Sequence, residues 1–68
     1  MNEETFNMSV RKFLKLFGIN AQRDIEQAVA KAIASGRLGN AGTLPAKVTL
    51  AIDAIGLRAE FDGKIELG

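Results

Sequence analysis

The stretch "VRKFLKLFGIN", Val10 to Asn20, decides how the first half of the chain folds. Val10, Phe13, Leu14 and Phe17 recur at the spacing of one helix face, and Phe6 extends the series toward the N-terminus. Gly18 follows at once. Glycine is the residue that most readily takes the left-handed conformation closing a helix. The spacing therefore predicts a helix over 3–17 that stops at Gly18, with Ile19 folding back onto Leu14. Asn2 suits the N-cap, because its side-chain oxygen can accept an orphan amide of the first turn. Glu3 and Glu4 then lie at the positive end of the helix dipole. Asn20 is read as the cap of a second helix over 21–35, rich in alanine, with Ile25, Ala28, Val29, Ala32 and Ile33 along one face. Gly36 ends it. Three residues between the helices make them neighbours in a helical hairpin or corner.

Beyond "SGRLGNAGTLPA" the apolar period changes from 3.6 to 2. Val48, Leu50 and Ile52 alternate with polar residues, as do Leu57, Ala59 and Phe61, and then Ile65 and Leu67. The pattern predicts strands over 46–53, 57–61 and 64–67. A four-residue turn, Asp53 to Gly56, would pair Ile52 with Leu57 and Leu50 with Ala59. A second turn at "FDG" would pair Glu60 with Lys64 and Arg58 with Glu66, leaving Phe61 in the turn. The expected fold is α+β: two helices packed on one face of a three-stranded antiparallel meander, in the order ααβββ. A sheet that small needs such a cover. The 68 residues form one domain, with a helical half (1–36), a glycine-rich connection (37–45) and a meander (46–68).

Composition excludes more than it suggests. The chain has no Cys and no His, so disulfides, the usual zinc sites, thiol chemistry and imidazole catalysis fall away. Nine basic against eight acidic residues give a net charge of +1, too little for a strong polyanion binder. Apolar content of 47% argues against disorder. No stretch approaches the roughly 18 apolar residues of a membrane span, and "MNEETFNMS" is acidic, unlike a signal peptide. A soluble, cytoplasmic protein is expected.

No constellation for catalysis emerges. Asp53 and Asp62 fall in separate expected turns, and Glu60 and Glu66 sit beside cations. Without His, Cys or Tyr there is no nucleophile–base set, so no catalytic, cofactor-binding or metal-binding residue is assigned and the protein is not expected to be an enzyme. "GRLGNAG" lacks the Gly-Lys-Ser/Thr ending of a phosphate loop and follows no strand. A DNA-reading helix would need cations on its exposed face, whereas the second helix also carries Asp24 and Glu26. What remains is surface. Met8, Arg11, Lys12 and Lys15 fall opposite the Phe6–Val10–Phe13–Phe17 stripe, and Arg58 and Lys64, with Glu60 and Glu66, lie on the outer face of the meander. The bland reading of the basic face is solvation.

The opening "MNEETFNMSVRKFLK", the "IASGRL" after the alanine-rich segment and "TLPAKVTL" resemble a family of short bacterial proteins of unknown function along the whole chain. The resemblance implies a small soluble α+β protein and supplies no activity, ligand or site residue. The leading expectation is a non-enzymatic protein-interaction module without a cofactor, with no membrane partner and with weak homodimerisation as one form. Two alternatives are a weak nucleic-acid-binding accessory domain using the basic face of the first helix, and a structural subunit of a larger assembly.

Overall fold

The computed structural model describes residues Met1–Gly68. Its elements are one helix, α1 (Glu3–Ala34), and two strands, β1 (Thr43–Ile52) and β2 (Leu57–Glu66), joined by a single 3₁₀ turn at Asp53–Ile55. The chain divides into two compact units, Met1–Leu38 and Gly39–Gly68.

The two expected helices are one. α1 runs for 32 residues through Gly18, Ile19 and Asn20 without a break. At 1.5 Å per residue it is about 48 Å long. Gly18 does not take a positive φ. The energetics favour the single helix. A glycine inside a helix costs roughly 1 kcal/mol relative to alanine. A break there would leave amides and carbonyls of two helix ends unpaired, and only packing of the halves could offset that. Arg23 would also fall in the first turn of a helix starting after Asn20, against the dipole.

The ends of α1 follow the sequence closely. The Asn2 side chain accepts a hydrogen bond from the Thr5 amide at 3.0 Å. At the other end the Gly36 amide donates to the Ile33 carbonyl (3.1 Å) and the Arg37 amide to the Ala32 carbonyl (2.9 Å). That pair of bonds is the Schellman closure, and it needs Gly36 at φ 71°.

The three expected strands are two. β1 and β2 form a two-stranded antiparallel sheet in register from Thr43↔Glu66 to Ile52↔Leu57. The four-residue turn and its pairs, Ile52↔Leu57 and Leu50↔Ala59, are as the sequence indicates. Gly56 closes that turn at φ 65°, its amide donating to the Asp53 carbonyl at 3.1 Å. The second turn does not form. β2 continues straight through Asp62 and Gly63, and β1 begins at Thr43 rather than residue 46. Phe61 lies in the sheet opposite Val48, not in a turn. Glu60 and Lys64 do not pair, and neither do Arg58 and Glu66; they face Thr49, Pro45, Ala51 and Thr43.

The reason is the unbroken alternation from Leu57 to Ile65. Continued pairing places it against Leu44, Ala46 and Val48, which a third strand would leave without partners. Lys47 also gains Asp62 directly opposite and an ion pair with Glu60 at 3.7 Å. The Leu67 amide donates to the Gly42 carbonyl at 2.8 Å, so even-numbered β1 residues form the hydrogen-bonded pairs. Pro45 therefore falls where an amide would point away from β2, and its missing N–H costs the ladder nothing.

Candidate interaction surfaces

On α1, Phe6, Val10, Phe13 and Phe17 share one face, and Ala21, Ile25, Ala28 and Ala32 carry that face on toward the C-terminus. No residue of this unit is buried; only Ala21, Val29, Ala32 and Leu38 are half-buried. Phe6, Phe13 and Phe17 expose 50%, 58% and 44% of their surface.

Met8, Arg11, Lys12 and Lys15, singled out from the sequence, do form one patch, since they are related by three- and four-residue steps. Met8 is 69% exposed. The ion pair of the chain is Lys47–Glu60, so these three helix cations have no acidic partner. Leu16 and Ile19, both exposed, extend the patch along the same side of the helix. Helical spacing alone places Leu16 there, within the expected first helix, whereas Ile19 joins the patch only because α1 continues past Gly18.

The sheet has two unlike faces. One carries Leu44, Ala46, Val48, Leu50 and Ile52 from β1, opposite Ile65, Gly63, Phe61, Ala59 and Leu57 from β2. Every residue on it is apolar. The small pair Ala46↔Gly63 makes a notch between the larger pairs on either side. The other face holds Lys47, Thr49, Arg58, Glu60, Asp62, Lys64 and Glu66. Arg58 and Lys64 are on this face as expected, but six residues of strand, about 20 Å, separate them. Glu60 and Asp62 stand between, so they form no basic cluster. The apolar face as a whole was legible in the alternation from Leu44 to Ile65 and was hidden by assigning Asp62–Gly63 to a turn.

No three His, Cys, Asp or Glu residues gather as a metal cluster. A shallow depression along Asp24, Gln27, Ala28 and Lys31 on α1 is open to solvent. No helix is long and apolar enough to cross a membrane. The chain matches, over residues 1–68, the model of a family described as "Family of unknown function (DUF6494)", and it belongs to that family. Comparison with curated proteins and with solved structures gave no match.

Proposed function

We propose that this member of the family is a non-enzymatic protein-interaction module. One observation carries the reading: each unit presents a continuous apolar face in which no residue is buried. Contiguous apolar surface of that extent marks a surface meant for covering. A two-stranded hairpin is marginal in water until something packs on it, and a lone amphipathic helix gains its stability from packing of its apolar face. A chain without His, Cys or Tyr supports the non-enzymatic part of the reading.

The test is native mass measurement of the untagged protein after gentle purification, with Phe13→Asp and Phe61→Asp as probes of the helix and sheet faces. The wild type is expected above monomer mass, with itself or with a co-purifying protein, and at least one of the two variants is expected to lose that mass. A partner-free monomer at all concentrations, retaining nothing from extract, would end the proposal.

A second reading has its own observation: Arg11, Lys12 and Lys15 lack acidic partners. They could contact three phosphates of a nucleic acid. Binding would then weaken with salt at a slope of about −2 to −3 in log–log form. Binding absent at low salt, or insensitive to salt, would remove this reading.

A further inference from the structure

We infer that the apolar stripe of α1 is a self-recognition surface whose occupant is the same stripe of a second copy, running antiparallel, with residue i meeting residue 38 − i. This rests on the interaction reading and names its partner. Phe6 then meets Ala32 of the second copy, Val10 meets Ala28, Phe13 meets Ile25 and Phe17 meets Ala21.

Three features of the helix point there. The first is spacing. From Phe6 to Ala32 the central line of the stripe (Phe6, Val10, Phe13, Phe17, Ala21, Ile25, Ala28, Ala32), which Leu14 and Val29 flank, advances in steps of 4, 3, 4, 4, 4, 3 and 4 residues, a series that reads the same in both directions. Two copies related by a two-fold axis across an antiparallel pair need just that symmetry, because each contact occurs twice with the roles exchanged. Breaking the helix at Gly18 would destroy it; the unbroken α1 preserves it.

The second is size. The first half of the stripe is large (three Phe and a Val), and the second is mostly alanine. Antiparallel pairing sets the larger residue against alanine in three of the four pairs, with Phe13 against Ile25 the bulkier exception, so the helices can keep a close spacing over most of the length. Parallel pairing would stack Phe6, Phe13 and Phe17 on their own copies and leave gaps at Ala21, Ala28 and Ala32. The mean step is about 3.7 residues, slightly over one turn, which lets two such helices follow each other with a shallow right-handed crossing.

The third is area and charge. The three exposed phenylalanines alone present about 300 Å² per chain, at roughly 200 Å² per side chain. Two copies bring about twice that before Val10, Ile25 and the rim are counted, somewhat over a third of the roughly 1,600 Å² of a stable interface. Arg11, Lys12 and Lys15 lie off the stripe, so pairing buries none of them.

The chain contains no cysteine, so introduced ones report cleanly. Val10→Cys protein and Ala28→Cys protein, distinguishable by a size tag on one, are mixed and oxidised. The inference predicts the mixed disulfide as the main product. In the wrong pairing the two like sulfurs would be about 27 Å apart, eighteen residues at 1.5 Å each. Like-with-like disulfides as the main product would overturn the register. The second arm needs no cysteine. Phe6→Ala and Ala32→Phe should each weaken self-association at least tenfold by sedimentation equilibrium, and the double variant, which only exchanges large and small, should recover to within about threefold of wild type. No recovery would overturn the pairing. A wild-type monomer would overturn it as well. If Phe13→Asp still abolished binding of a co-purifying protein, the interaction module would stand and only its occupant would change.

Discussion

Gly18 and Gly36 look alike in the sequence, each closing an apolar helical run, and they do opposite things. Gly36 takes a positive φ and its amide helps close α1. Gly18 is an ordinary helical residue, and a Cβ added there would meet nothing within 4 Å. Alanine should therefore separate them. Gly18→Ala is expected to raise stability by about 0.5–1 kcal/mol, the usual gain for removing an interior glycine. Gly36→Ala is expected to lower it by about 1–2 kcal/mol, because a Cβ is strained in the left-handed region. Thermal melts of the two variants read both signs. A loss at Gly18 comparable to that at Gly36 would mean the helix does end there. Single residues thus carried a good part of the fold: Asn2, Gly36 and Gly56 act as their types and positions foretell. Gly18 did not, because whether a glycine ends a helix depends on what packs beyond it, and that is not a local property.

At the level of elements, the same ambiguity recurs in β2. "FDG" has the composition of a turn, yet Gly63 has no positive φ and pairs with Ala46. Periodicity outweighs composition here. The odd-numbered apolar positions run without interruption from Leu57 to Ile65, and the ladder keeps them all on one face. Gly63→Val should then stabilise the hairpin, by up to about 1 kcal/mol, since a branched side chain suits a strand and the site is open. A turn glycine in the left-handed region would give a clear loss in the same melt. The first hairpin turn was legible because both its length and its face pairing agreed. The expected helix break and third strand do not form: each combined a glycine motif with local support, the Asn20 cap in one case and the Glu60–Lys64 and Arg58–Glu66 pairs in the other, and in both the element runs on through the glycine. Of the surfaces, the Met8–Arg11–Lys12–Lys15 patch needed only helical spacing, and α1 places those residues on one side. Arg58 and Lys64 needed the correct strand count, and the sheet sets them well apart.

For the whole molecule, the consequence of an unbroken helix and a two-stranded sheet is apolar surface that each unit leaves accessible. If that surface is covered by another copy, stability must depend on concentration. The melting temperature should rise as the protein is concentrated, and the rise should vanish in Phe13→Asp. A concentration-independent melting temperature would argue for a different occupant. All of this depends on α1 passing through Gly18 without turning back. Spin labels on cysteines introduced at Lys12 and Lys31, in a large excess of unlabelled chain, test that directly by pulsed electron–electron distance measurement. The account predicts a distribution centred near 28 Å, nineteen residues of straight helix at 1.5 Å each. A distribution centred below about 20 Å would mean that the chain reverses at Gly18–Asn20, with the two halves side by side at the 8–10 Å spacing of packed helices. That result would contradict both the single helix and the self-complementary stripe built on it.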